Sequence, residues 1–138
     1  MKEIQIKKYE QYKEAEILTL YKSVGWVNYT NNLDMLKDAY AHSLMILGAY
    51  KNEKLIGIIR VVGDGYSIIY IQDIIVLPEY QRKGIGSLLL KEILNKYAHV
   101  YQKILLTENQ PSTVSFYKKL GFTPDFEMNC VAFGHFTL

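Results

Sequence analysis

Apolar residues change their spacing along the chain, and each change marks a class of element. Residues 4 to 7, "IQIK", alternate as a short strand does. From about Glu10 to Ser23 the apolar positions Ile17, Leu20, Tyr21 and Val24 fall at i, i+3, i+4 and i+7, one face of a helix, with Gly25 where a C-terminal cap belongs. The stretch "NYTNN" then supplies capping side chains, and Leu33, Leu36 and Tyr40 space a second, shorter helix. After it the period drops to two or vanishes. "SLMILGAY", "KLIGIIRVV" and "SIIYIQDIIVL" are β-branched, apolar runs separated by "KNE" and by Gly63-Asp64-Gly65, so they predict consecutive antiparallel strands. A helical face returns over residues 85 to 97 with Ile85, Leu88, Leu89, Ile93 and Tyr97. "KILLT" predicts a strand over 103 to 107, and Pro111 opens a helix running to Leu120 that Gly121 ends. The tail, "DFEMNCVAFGHFTL", predicts one or two closing strands. Strand 68 to 77, helix 85 to 97 and strand 103 to 107 make a β-α-β unit, which predicts parallel neighbours joined by a right-handed crossover. The class is therefore α+β, a mixed, mostly antiparallel sheet flanked by about four helices.

Composition narrows the function classes. The chain has 138 residues, 49% hydrophobic and 22% charged, which suits one core burying roughly 70% of the unfolded surface. No repeat or linker marks a boundary, so residues 1–138 are expected to form a single domain. A formal charge of +2, with Lys and Arg scattered apart from short pairs such as Arg82-Lys83 and Lys118-Lys119, argues against a nucleic-acid partner. No apolar run reaches a membrane span and no signal-peptide core opens the chain, so a cytoplasmic location and no membrane partner are expected. The single Cys130 cannot form an internal disulfide and is expected to be a small buried hydrophobe. His42, His99 and His135 are far apart and show no ligand spacing, so no metal site is expected.

One seam stands out chemically. "PEYQRKGIG", residues 78 to 86, joins the apolar run "IIVL" to the helix "SLLLKEILNKY". A helix opening near Ile85 has orphan N–H groups and about half a positive charge at its start. Gly84 and Gly86 allow positive φ and close approach to the main chain, and Arg82 and Lys83 add two charges. The seam suits a phosphate or pyrophosphate; its plainer reading is a tight turn beside two solvated charges. No Gly-Lys-Ser or Gly-Lys-Thr of a nucleotide P-loop occurs. A dinucleotide fingerprint lacks its third glycine, replaced by Leu89, although Glu108 stands where a ribose-binding acid belongs, and it requires parallel strands where a meander is predicted.

"DIIVLPEYQRKGIGSLLL" resembles the acyl-coenzyme A signature of the GNAT superfamily of N-acetyltransferases, with Gln81, Gly84 and Gly86 in matching positions. "PSTVSFYKKLGF" is similar to the second signature of that family, through Phe116-Tyr117 and Gly121-Phe122. The resemblance covers roughly residues 44 to 125. It implies a sheet splayed open after the strand ending at Leu77, so that the pantetheine arm of acetyl-CoA pairs with main-chain groups of Ile74, Ile75 and Val76 that a bulge within 72 to 76 frees. It places the pyrophosphate on Gln81, Arg82, Lys83, Gly84, Ile85, Gly86 and Ser87, with further cofactor contacts from Asn109 and Gln110. Relatives often carry Asn seven positions before the Tyr, where this chain has Gln110.

The implied reaction is direct attack by a primary amine of a small molecule or protein on the thioester in a ternary complex. A lysine-type amine sits about 3.4 pH units above neutrality, so its uncharged form costs roughly 4.6 kcal/mol unless the site or a base helps. Tyr117 is the general acid that the resemblance implies, and its ordinary pKa near 10 keeps it protonated. The N–H of Ile74 or Ile75 is the oxyanion donor. Asp73 interrupts a central apolar strand and is either a general base or amine-binding group, or a structural hydrogen-bonding group. Glu108 contacts substrate or solvent. The acceptor pocket is expected around "SVGWVNYTNN", with Trp26 as a wall or a loop anchor and Tyr29 beside it, among Tyr21 and Tyr40. The apolar tail permits a homodimer. A non-catalytic acyl-CoA-binding module is the alternative function.

Overall fold

The computed structural model describes residues 3–137; Met1, Lys2 and Leu138 lie outside them. These residues form two compact units that divide between Leu106 and Thr107.

The first unit is a five-stranded sheet in the order β1-β2-β3-β4-β5. Its strands are β1 (Ile4–Lys8), β2 (Met45–Lys51), β3 (Lys54–Gly63), β4 (Ile68–Val76) and β5 (Gln102–Ile104). The first four pair antiparallel in sequence order, and β4 pairs with β5 in parallel. The helices are α1 (Glu14–Ser23), α2 (Val27–Thr30), α3 (Leu33–Ala41) and α4 (Ile85–Lys96). The β3 sequence shows no alternation because both its faces are covered: residues Leu55 to Val61 are all buried. The Cα of Gly57 faces Ile85 of α4, where an added Cβ meets the Ile85 Cγ2 at 3.5 Å. Arg60, three residues along and hence on the opposite face, reaches Ser43 and the α1 side. The core thus fills two layers, α4 beneath the sheet and α1 with α3 above it. Ile17, Leu20, Tyr21 and Leu36 bury one layer, and Ile85, Leu89 and Ile93 the other.

The turn after β3 is held by Asp64, whose carboxylate accepts from the N–H groups of Tyr66, Ser67 and Ile68 and from the Ser67 hydroxyl. These bonds, the Ser67 hydroxyl first, hold its carboxyl well below the usual range. Gly63 and Gly65 bracket it with positive φ.

The second unit contains α5 (Pro111–Lys119) and a 3-10 turn at Asp125–Glu127.

Five expectations are corrected. α1 starts at Glu14, after an extended Lys13, and α2 was not read because four residues carry too little periodicity. β5 is only Gln102–Ile104. Residues 128–137 form no strand: they are exposed, with Val131, Phe133 and Phe136 at 68%, 90% and 72% exposure, and Asn129 takes φ 57°. Apolar alternation records strand propensity, but a strand also needs a neighbouring edge to bond. Cys130, in that tail, is exposed rather than buried.

Candidate active site

A bulge sets the geometry of the first unit's open edge. Arg60 pairs with Asp73, yet the next residue, Val61, pairs with Ile71, so Gln72 is an extra residue in β4. Two consecutive side chains therefore face the same helical layer: Gln72 donates to the Tyr29 hydroxyl at 2.8 Å, and Asp73 accepts from the Tyr21 hydroxyl at 2.6 Å. On the other edge of β4, pairing with β5 covers only Ile68 to Tyr70. Beyond Tyr70 the two strands part.

Main-chain direction follows from the two-residue period. The Leu77 N–H donates to the Ile56 carbonyl of β3, so Ile75 also turns its main chain to β3. The N–H and C=O groups of Ile74 and Val76 point the opposite way, into the opening. Ile75 thus offers an added strand nothing, contrary to expectation, while Ile74 offers both groups. The Val76 carbonyl already accepts from Gln81 Nε2 at 2.9 Å.

The basic seam completes the edge. Its 3-10 turn, Pro78–Tyr80, leads to Arg82 at φ 63° and Gly84 at φ 81°. Gly86 is helical, so the positive φ expected there falls on Arg82 instead. Gly84 is the N-cap of α4 and has no side chain to cap it; a Cβ built on it meets nothing within 4 Å. The first N–H to bond inside the helix is that of Leu88, to the Gly84 carbonyl. The N–H groups of Ile85, Gly86 and Ser87 therefore face outward without an acceptor among the described residues. Arg82 and Lys83 are exposed beside them. Gln81 departs from expectation: its N–H goes to the Pro78 carbonyl and its amide to Val76, so it braces the loop instead of meeting an anion.

Asp73 is 2% exposed and Arg60 4%. The Arg60 Nε donates to Asp73 Oδ2 at 2.7 Å, and a second guanidinium nitrogen donates to the Ser43 hydroxyl. The Tyr21 and Tyr40 hydroxyls lie 3.0 Å apart, extending the network. Burial first, then the charges around it, pushes the Tyr21 phenol far up. Of the roles open for Asp73, the geometry matches the structural one: its carboxylate is enclosed, and its Oδ2 accepts from both Arg60 and Tyr21. Arg60 was missed in the sequence. Its signal was a lone cation in "IIRVV", facing the lone carboxylate of "IQDII".

Two helices end in the same device, and each fixes an aromatic residue of interest. In α1 the Gly25 N–H bonds the Lys22 carbonyl and the Trp26 N–H bonds the Tyr21 carbonyl; in α5 the Gly121 N–H bonds Lys118 and the Phe122 N–H bonds Tyr117. Both glycines have positive φ, 75° and 95°. Across each cap the aromatic pair touches, Tyr21 to Trp26 at 6.0 Å and Tyr117 to Phe122 at 5.8 Å between ring centres. The Gly-aromatic step is thus a clamp on the tyrosine before it. Trp26 keeps 37% of its surface exposed and stands 6.3 Å from the Tyr29 ring.

In the second unit, Tyr117 is 9% exposed, and burial pushes its phenol up to about 12. Glu108 is exposed and Gln110 is the N-cap of α5 without a side-chain bond. Asn109 lines an open groove of about 670 Å³ with Ser115, Lys118, Lys119 and Phe126.

The family model for the acetyltransferase (GNAT) domain matches residues 42–124. The chain belongs to the GNAT acetyltransferase family. A GNAT-family acetyltransferase from Streptococcus pneumoniae TIGR4 is 42% identical, with a TM-score of 0.87, over 97% of this chain and 98% of that one. An uncharacterized N-acetyltransferase ycf52 of Pyropia yezoensis is 31% identical over 114 residues, 80% of this chain; the chain spans 64% of that relative's length. The paiA N-acetyltransferase of Thermoplasma acidophilum, solved in complex with coenzyme A, shares the fold at 20% identity and a TM-score of 0.74, over 88% of this chain and 90% of that one. The splayed β4 edge and the free amides at the start of α4 lie within the matched residues.

Proposed function

We propose that this GNAT protein is an N-acetyltransferase that moves the acetyl group of acetyl-CoA to a primary amine of a small molecule or protein, by direct attack in a ternary complex. One observation carries the reading: β4 loses its partner just before a bulge, and the seam that follows it opens a helix whose first amides are free. The coenzyme supplies the thioester. Ile74 and Val76 bind its arm as a neighbouring strand does. The N–H groups of Ile85, Gly86 and Ser87 hold the diphosphate, each bond to a charged oxygen contributing roughly 1.5 to 3 kcal/mol. Arg82 and Lys83 add charge.

In the reaction the amine nitrogen bonds to the thioester carbon, and the outward N–H of Ile74 stabilises the oxygen that becomes negative. As the carbon–sulfur bond breaks, Tyr117 gives its phenolic proton to the sulfur; the nitrogen's surplus proton leaves to water. A phenol held near 12 is fully protonated at neutral pH, as an acid must be. With Asp73 enclosed, the amine must arrive uncharged or lose its proton to solvent. The test is release of free thiol from acetyl-CoA with a panel of amines. Thiol release that falls sharply in Tyr117→Phe supports the reading. Tight coenzyme binding with no release for any amine overturns it in favour of a binding module.

A further inference from the structure

Tyr29 has an uncommon bonding position for a half-buried phenol. Its oxygen accepts from Gln72 Nε2 at 2.8 Å. Gln72 is the only hydrogen-bond partner of this oxygen among the described residues, so the phenolic proton has no acceptor there. Burial, then the Asp73 charge, pushes this phenol up, so it stays a donor at neutral pH. Gln72 is the residue that the bulge adds to β4, which stands Tyr29 over the point where β4 and β5 part.

The surroundings are electrically balanced. Arg60 is spent on Asp73 and Ser43, and Asp73 on Arg60 and Tyr21. The rings of Tyr21, at 5.2 Å, and Trp26, at 6.3 Å, give Tyr29 apolar neighbours. A ligand here meets one polarised hydroxyl and aromatic surface. A carboxylate entering this spot finds no unmatched cation.

We propose that the Tyr29 hydroxyl, held by Gln72, is a specificity-determining donor that binds an uncharged oxygen, an amide carbonyl or a hydroxyl, carried by the acceptor close to its amine. This rests on the acetyl-transfer reading and names the acceptor class within it: a primary amine with a neutral polar group and an apolar body. Tyr29 takes no part in bond making; it orients the amine toward the thioester.

The experiment compares three amines that share one side chain, L-leucinamide, L-leucine and 3-methylbutylamine, by thiol release from acetyl-CoA. Tyr29→Phe keeps the ring and removes only the hydroxyl. It is expected to lose about tenfold in kcat/KM on leucinamide, mostly through KM, the worth of one hydrogen bond. Turnover of 3-methylbutylamine and the Kd for coenzyme A should stay within about twofold. Gln72→Met, which frees the phenol to rotate, should lose part of the same preference and serves if Tyr29→Phe folds poorly. An equal loss on all three amines, or none on leucinamide, overturns the inference while leaving acetyl transfer intact. If the wild type binds coenzyme A and acetylates no amine at all, the acetyl-transfer reading itself falls, and this inference with it.

Discussion

Replacing Asp73 by Leu leaves the Arg60 guanidinium, 4% exposed, without the carboxylate 2.7 Å away that compensates it. Removing one partner of a buried pair costs about 3 to 5 kcal/mol, because the remaining charge stays desolvated. The Tyr21 hydroxyl also loses its acceptor. For a chain of this size each kcal/mol shifts Tm by roughly 3 to 5 °C, so a fall of about 10 to 20 °C is expected. Replacing both partners, Arg60→Met with Asp73→Leu, removes the stranded charge and should return the protein to within about 2 kcal/mol of wild type. Calorimetry or urea unfolding on the four proteins of the cycle measures the coupling, expected above about 2 kcal/mol. Activity then separates the two roles of Asp73. A strut predicts that kcat recovers together with stability in the double variant. A double variant that is stable but as inactive as Asp73→Leu, and that regains turnover only as pH rises, refutes the structural assignment and makes Asp73 the base.

Three further outcomes follow from the geometry. Tyr117→Phe should lower kcat at least about tenfold with KM for acetyl-CoA little changed; because the phenol titrates near 12, the wild-type rate should not fall between pH 7 and 10, and an earlier alkaline limb assigns the acid elsewhere. The raised phenols of Tyr21 and Tyr117 favour the folded state fully below the unfolded value near 10 and lose that contribution as pH climbs through their folded values, so Tm should drop steeply above about pH 10; a flat Tm to pH 11.5 contradicts this. Asp64→Ala should lower Tm at pH 7, and the gap from wild type should close as pH falls below about 4, since a depressed carboxyl stabilises above its unfolded value and stops doing so once protonated; a gap independent of pH shows that the carboxylate charge does not hold the turn.

Elements with strong internal punctuation were legible in the sequence. Gly25 and Gly121 end α1 and α5 where expected, and Pro111 begins α5, because caps are local chemistry. The meander and the β4–α4–β5 unit follow from runs bounded by turns. The seam at residues 81–87 was visible as two glycines after two cations. Its details were not: positive φ sits on Arg82 instead of Gly86, and Gln81 turns inward, because loop conformation answers to neighbours such as the Val76 carbonyl. Asp73 was visible as an anomaly, but its partner Arg60 lies thirteen residues away on a neighbouring strand, and only register joins them. The bulge at Gln72 was expected somewhere within 72 to 76 from the family resemblance; two adjacent polar residues in an apolar strand were its only local trace. The tail failed because residues 128–137 carry a strand's pattern without a strand's neighbour.

Free main-chain amides at the start of α4 and along outer β4 are the groups proposed to hold the coenzyme. Amide shifts of the ¹⁵N-labelled protein, followed while coenzyme A is titrated in, report on each of those groups directly. The largest changes should fall on Ile74, Val76, Ile85, Gly86 and Ser87, with Ile75 much less affected because its main chain bonds β3. Saturable binding that leaves these five amides unmoved contradicts the account.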